Sequence, residues 1–222
     1  MNIANAAAKM SSQQKLNILG ISIENLEFFI RHYVGYRFRY LMKHPGGEWF
    51  QVNNKKGRPI PLTHSAICYH LLHKYWVGVF PSKYTYYVCF DIDPSPDQEL
   101  IYRKIMKWIK YPLTFHSSSR RGFHVYAHLA VPITVDKLLH ITEAMCNKLG
   151  IRISPGMCEI FPRPNRALRL PLGEGSLLLD PKSLEPVCTD VAAAIRHISE
   201  NIRYHSFQDL FPQLARGDRC KG

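Results

Sequence analysis

Hydrophobic and polar positions repeat with two periods along this chain, and the switches between them mark most of its elements. Tyr84 to Ile92 (YTYYVCFDI) is rich in aromatic and β-branched residues and predicts a strand. Pro94-Ser95-Pro96 interrupts it. Ser95 with Gln98 reads as a capping box, Pro96 takes the first helical position, and a helix runs to about Lys110. Residues 112–115 predict a short strand, HSSSRRG a loop, and 123–130 a further strand. Behind Thr134 as cap, Val135, Leu138, Leu139, Thr142, Met145, Cys146 and Leu149 keep helical spacing until Gly150 ends the helix. Short strands are expected near 157–161, 167–171 and 176–179, and a last helix over 190–203. Strand, helix, strand, strand, helix, strand is the βαββαβ series of a split βαβ unit.

Upstream, residues 22–34 predict an amphipathic helix capped by Ser22 and ended by Gly35. Tyr36 to Met42 alternates aromatic and basic residues, HPGGE breaks the chain, and Glu48 to Val52 is extended again before NNKKGRP, which reads as a hairpin with a basic tip. Thr63 opens a helix through His73, and 75–80 is β-rich. The expected division is a flexible leader over 1–21, an α/β subdomain over 22–83, the βαββαβ core over 84–185, and a C-terminal helix and tail over 186–222, together one unit of the α/β (α+β) class.

Composition adds a constraint on partners. Hydrophobic residues are 46% and charged residues 21% of the 222, which excludes wholesale disorder. Lys and Arg number 29 against 17 Asp and Glu, a net charge of +12 that suits a polyanion: nucleic acid, nucleotide phosphates or an anionic membrane. No stretch approaches the roughly 18 apolar residues of a membrane span, and MNIANAAAKMSSQQK lacks the apolar core of a signal peptide, so a cytoplasmic protein with no membrane partner is expected. Cys68, Cys89, Cys146, Cys158, Cys188 and Cys220 are scattered without a C-x-x-C pair, as reduced thiols are. His64, Cys68, His70 and His73 lack the paired spacing of a zinc site, and no zinc is expected.

Three constellations carry chemistry. Asp91 and Asp93 end the clearest strand, and residues i and i+2 of a strand share a face. Paired carboxylates suit two hard divalent ions in phosphoryl transfer; solvated aspartates at a strand end, and the D-x-D of sugar-nucleotide transferases, give the same pattern. The run Ser117-Ser118-Ser119-Arg120-Arg121-Gly122-Phe123-His124 offers hydroxyls, guanidiniums, a glycine turn and an inward histidine, a set suited to a phosphate chain or to an ordinary basic turn. Glu159, in a β-rich segment, is followed by Arg163, Arg166 and Arg169-Leu170-Pro171-Leu172-Gly173. Asp180, ending LLLD, is a rival third carboxylate with a turn-capping role as its other reading.

These residues resemble the three motifs of the archaeo-eukaryotic primase superfamily, the primases and primase-polymerases. Val88-Cys89-Phe90-Asp91-Ile92-Asp93 is similar to the first, Ser118 through His124 to the second, and Glu159 with Arg169-Leu170-Pro171-Leu172-Gly173 to the third as found in plasmid, phage and other mobile-element members. His70-Leu71 and Gly78-Val79-Phe80-Pro81 are similar to those bacterial forms as well, and Gly35-Tyr36-Arg37 to the family's N-terminal Gly/Arg strand. The resemblance covers about residues 65–180, without a zinc-binding stem, helicase or long helical tail.

The resemblance implies an RRM-like catalytic core on an N-terminal α/β layer, the primase fold. It implies primer synthesis and extension on single-stranded DNA from NTPs or dNTPs. Asp91, Asp93 and Glu159 would hold two Mg²⁺ or Mn²⁺ ions. Ser118, Ser119, Arg120, Arg121 and His124, supported by Arg169 and Arg37, would hold the triphosphate. The implied partners are a single-stranded template, a primer–template duplex, and a helicase or other replication or repair proteins, with the chain a monomer. The alternatives are a gap-filling or end-joining polymerase of the same superfamily, and, from another class, a non-catalytic nucleic-acid-binding module.

Overall fold

The strand Tyr84–Ile92 sorts its side chains as its alternation dictates. Val88, Phe90 and Ile92 enter one apolar cluster, while Tyr87 and Cys89 enter another on the opposite face. The computed structural model describes residues 10–44, 46–117 and 121–212, and the elements around that strand follow in chain order. The helices are α1 (Ser12–Leu19), α2 (Ile23–Tyr33), α3 (His64–Leu71), α4 (Gln98–Trp108), α5 (Val135–Lys148), α6 (Val191–Asn201) and α7 (Phe207–Leu210). The strands are β1 (Tyr36–Lys43), β2 (Phe50–Gln51), β3 (Trp76–Phe80), β4 (Tyr84–Ile92), β5 (Leu113–His116), β6 (Phe123–Thr134), β7 (Cys158–Phe161), β8 (Leu168–Arg169), β9 (Leu178–Leu179) and β10 (Tyr204–His205).

Two antiparallel sheets result, and the chain is an α+β protein. One runs β7-β4-β6-β5-β9, with β10 parallel beside β6. The βαββαβ unit supplies its first four strands, with β6 between the parallel pair β4 and β5, the split βαβ order expected from the sequence. The other sheet runs β2-β1-β3-β8. The hairpin read at 36–52 forms, with Leu41 opposite Gln51, and β1 also pairs with β3. Between the sheets lies the first apolar cluster, filled by α1, α2, α3 and α6 together with Tyr40, Val77, Val79, Cys89, Tyr126 and Phe161. The second cluster lies under α4, α5 and α7 on the other face of β4, β6 and β7. Each fully buried Phe or Ile in either contributes on the order of 1.5–3 kcal/mol. Among the described residues, no helix is long and apolar enough to cross a membrane.

Four expectations are corrected. The leader over 1–21 contains α1, started by a capping box in which Ser11 accepts from the Gln14 N–H and Gln14 accepts from the Ser11 N–H, and closed by left-handed Gly20. Ser95 and Gln98 make no capping box: α4 starts after Asp97, and the Gln98 amide reaches across to donate to the Arg121 carbonyl. Thr134 stands at the start of α5 without a side-chain capping bond, because it is still the last residue of β6 and opposes Tyr84. The α/β layer is not confined to 22–83, since β8 leaves the core segment to pair with β3, Gly78 opposite Arg169. Ser22 and Thr63 cap their helices as read, accepting from the N–H groups of Asn25 and Ala66.

Candidate active site

The site is a row of side chains set by strand register. Asp91 on β4 is directly opposite His124 on β6 and directly opposite Glu159 on β7. Facing residues of neighbouring strands stand about 4.5–5.5 Å apart, so the row Glu159–Asp91–His124 crosses three strands on one face. That face is the one bearing Cys89 and Tyr126, turned toward the other sheet. The second sheet answers with Leu41, Gly78 and Arg169, themselves opposite one another in register. Between the rows is a cleft of ≈ 300 Å³, walled on its less polar side by Trp49, Phe161 and Ala167.

Ion pairs tie the row together. His124, only 3% exposed, places Nε2 3.1 Å from Asp91 Oδ1. Arg166 donates through both terminal nitrogens to the two oxygens of Glu159, the Nη2···Oε2 bond being 3.2 Å, in the bidentate form that suits a planar guanidinium and a carboxylate. Burial pulls the Asp91 carboxyl upward, but His124 beside it, with Arg169 and Arg166 beyond, holds it below the ordinary value. Asp93 moves the other way: burial and then the charges of Asp91 and Glu159 raise it. Burial lowers the Arg169 guanidinium, with the Asp91 charge opposing. The donor set is therefore hard oxygen crowded by like charge, an arrangement that a divalent cation relieves. With Asp91 turned to His124 and Glu159 held by Arg166, the side chains as they stand gather no group of three His, Cys, Asp or Glu around a metal position among the described residues.

The described ends of the loop between β5 and β6 meet beside the end of β4. Ser117 N–H donates to the Gly122 carbonyl at 2.8 Å, and the Gly122 N–H donates back to Ser117 Oγ at 3.1 Å. A Cβ on Gly122 would lie 2.5 Å from the Ile92 carbonyl oxygen, so only glycine lets the neck of this loop touch the D-x-D strand. Ser118, Ser119 and Arg120 lie outside the described residues.

The other candidates divide. His124, Glu159 and Arg169 meet Asp91 in the cleft. Arg121 and Arg37 are not among its lining residues; both are exposed, and the Arg37 carbonyl accepts from the Leu62 N–H at 2.6 Å. Asp180 is far along the sheet, where its Oδ1 accepts from the N–H groups of Lys182 and Ser183 at 2.9 and 2.8 Å. His64 pairs with Glu27 and His70 is locked between β3 and the turn at Pro171.

Arg166 is the residue to which the sequence assigned no role of its own. The sequence named it only as one of the arginines that follow Glu159; the turn that delivers it has left-handed Asn165 at its corner. The class defined by fold and site is thus a two-sheet α+β domain with an acidic strand row facing one half-buried and one exposed arginine. No protein-family model matches the sequence, and no curated protein matches it. Among solved structures the chain is similar to the polymerase domain of Mycobacterium tuberculosis Ligase D in complex with DNA, with 12% identity and a TM-score of 0.46 over 96% of this chain and 91% of that one. It is also similar to the AEP domain of the cyanophage S-2L primase-polymerase, with 12% identity and a TM-score of 0.42 over 83% of this chain and 94% of that one. Likeness of that size leaves the chemistry to be argued from the side chains.

Proposed function

We propose that the protein is a template-directed nucleotidyltransferase, a DNA primase-polymerase that makes short primers on single-stranded DNA and extends them from NTPs or dNTPs. One observation carries this reading: the cross-strand row Glu159–Asp91–His124, with Asp93 beyond it, faces Arg166 and Arg169 across a cleft. Carboxylates packed beside cations are what transfer of a nucleotidyl group demands, because the triphosphate needs positive charge and the ions that bridge it need acidic ligands.

Asp91, Asp93 and Glu159 would hold two Mg²⁺ or Mn²⁺ ions, which when bound supply charge stabilisation at the phosphate and a more acidic 3′-hydroxyl. The remaining work belongs to the chain. Arg169, half-buried across the cleft from Asp91, carries the guanidinium that neutralises phosphate oxygens. His124 fixes the carboxylate of Asp91 by its 3.1 Å contact. Arg166 holds Glu159 and, being about half exposed, can turn from it toward an incoming phosphate. The net charge of +12 supplies the attraction for template phosphates.

The test is synthesis on a circular single-stranded template without primer, using labelled NTP and dNTP pools separately with Mg²⁺ or Mn²⁺. Short products of defined length are expected. Products only from a supplied primer would replace the primase reading by the gap-filling one. No incorporation under either condition, by protein that still binds single-stranded DNA, would leave a non-catalytic binding module.

A further inference from the structure

The sheet β7-β4-β6-β5-β9 bears the acidic row toward its β7 edge, and its other edge, at β9, carries two adjoining concavities of ≈ 470 Å³ each. Lys110, Pro112 and Pro181 line both, so the two meet at the entry to β5, the end of that strand away from Ser117. One extends along α4 and the other toward His197 and Asn201 of α6, and neither shares a residue with the cleft of Asp91 and His124. Met106, Pro112, Pro181 and Val187 give this groove aliphatic and prolyl surface, Val187 being 38% exposed. Around it stand Arg103, Lys107, Lys110, Lys182 and Arg203, against a single lining carboxylate, Asp180. Asp180 already spends its Oδ1 on the N–H groups of its own turn, and Arg103 is matched by Glu99. Lys107, Lys110 and Lys182 make no ion pair among the described residues.

An apolar groove under unpaired ammonium groups asks one ligand for both apolar side chains and negative charge. Nucleic acid brings the charge but needs open ring faces on which to stack its bases. The exposed ring at this groove, Tyr111, already has the Lys110 ammonium 4.9 Å from its centroid and the His205 ring at 5.8 Å. A second copy of this chain, at net +12, would bring like charge to the rim. The backbone of β9 is taken as well: the Leu178 carbonyl accepts from the Val187 N–H at 3.0 Å, and the Asp180 N–H donates to the Glu185 carbonyl at 2.9 Å. Strand addition is therefore closed on that side, and side chains must carry the recognition. The surface that would receive them is fixed in place, since Tyr102 Oη donates to the Pro181 carbonyl at 2.8 Å. We infer that this groove docks an acidic peptide segment of a partner protein. Its apolar side chains seat on Met106, Pro112, Pro181 and Val187, and its carboxylates meet Lys107, Lys110 and Lys182. The segment so held leaves the cleft of Asp91 open, and the inference stands apart from the reaction proposed above.

The experiment uses the full chain and a fluorescein-labelled synthetic peptide in which Asp and Glu are interspersed with Leu, Ile and Phe. Two further peptides carry Asn and Gln in place of the acids, or Ser in place of the apolar residues, and a labelled oligothymidylate reports on nucleic acid. Binding is followed by anisotropy without nucleotide or metal. The parent peptide is expected to bind at least about tenfold more tightly than either altered one. Lys107→Gln together with Lys182→Gln, both at exposed positions, should weaken the parent peptide about tenfold and leave oligothymidylate binding within twofold and the urea midpoint unchanged. Equal peptide affinity in the wild type and the folded double variant would show that the peptide follows the overall charge, and would overturn the groove. Indifference to the Ser replacements would do the same. Oligothymidylate that competes with the peptide and is weakened in parallel by the double variant would reassign the groove to nucleic acid. None of these readings involves nucleotide incorporation, so the docking groove and the proposed function fail separately.

Discussion

Glu159 and Asp180 compete for the place of third carboxylate, and their surroundings separate them. Glu159 is 8% exposed, opposes Asp91 in register and raises Asp93. Asp180 is fully committed to the turn that follows it, where two backbone N–H groups and the Ser183 hydroxyl hold its Oδ1 and keep its carboxyl below the ordinary value. Glu159→Gln is therefore expected to lower nucleotide incorporation at least ~10²-fold, as for a group that stabilises developing charge, and Asp180→Asn to leave it within about twofold. Primer extension by the two folded variants with Mn²⁺ decides it; a dead Asp180→Asn beside an active Glu159→Gln would move the site to the end of β9. The carboxylates were legible in the chain because a strand of period two announces its own faces. Their neighbours were not. That Arg166 reaches the row depends on a turn between two sheets, and no local spacing encodes where such a turn delivers its side chains.

At the scale of elements, glycine carries two contacts that any side chain would break. Gly173 lies flat on the His70 ring, where a Cβ would stand 2.3 Å from Cε1. The ring cannot swing aside: its Nδ1 accepts from the Val77 N–H at 3.2 Å, and its Nε2 bonds the Pro171 carbonyl at 3.0 Å. Gly173→Ala should cost about 1–3 kcal/mol by overpacking, read as a lower urea midpoint. Gly47→Ala, whose Cβ would meet nothing nearer than 3.5 Å, should leave the midpoint unchanged. Equal midpoints for the two variants would show that the His70 contact relaxes freely. Gly122→Ala should act on the site instead, pushing the Ile92 carbonyl and with it the D-x-D strand, so that incorporation falls more than stability does. The series β4-α4-β5-β6-α5-β7 was readable because β4, α4, β6 and α5 are long and periodic and fix the places of the four-residue β5 and β7 between them. β10, of two residues, was not, and for β8, expected as a strand within 167–171, the chain did not disclose the pairing with β3 in the other sheet, since both rest on partners distant in sequence. The false capping box at Ser95 arose from the same blindness: the pattern was present, but the Gln98 side chain extends to donate to the Arg121 carbonyl, 23 residues away, and α4 starts after Asp97.

The whole molecule buries several imidazoles, and this sets its response to acid. Burial pushes His70 down to about 4 and His128 down to about 3, and also lowers His32 and His205, which surround His128 with Tyr33 and Tyr204. The unfolded chain takes up these protons near pH 6.5, while the folded chain does so only well below it. The stability these rings confer is complete above pH 6.5 and is lost as the pH falls toward their folded values. Between pH 7.5 and 4.5, His70 and His128 should each cost about 2–3 kcal/mol, so the Tm should drop by roughly 10 °C or more. A Tm that stays flat over that interval would show that these rings take up protons in the folded protein much as they do in the unfolded chain. A last consequence follows from the path of the chain between β7 and β8. β7 hydrogen-bonds to β4 in one sheet and, six residues on, β8 hydrogen-bonds to β3 in the other, while residues 81–83 join β3 directly to β4. The two walls of the cleft are thus stitched to each other twice and share one apolar filling. Two connections and a common core oppose a hinge motion of these jaws. On the proposed reading, nucleotide and pyrophosphate pass edgewise through the mouth between the sheets, and among the described side chains the Arg166 guanidinium is the one that turns, away from Glu159.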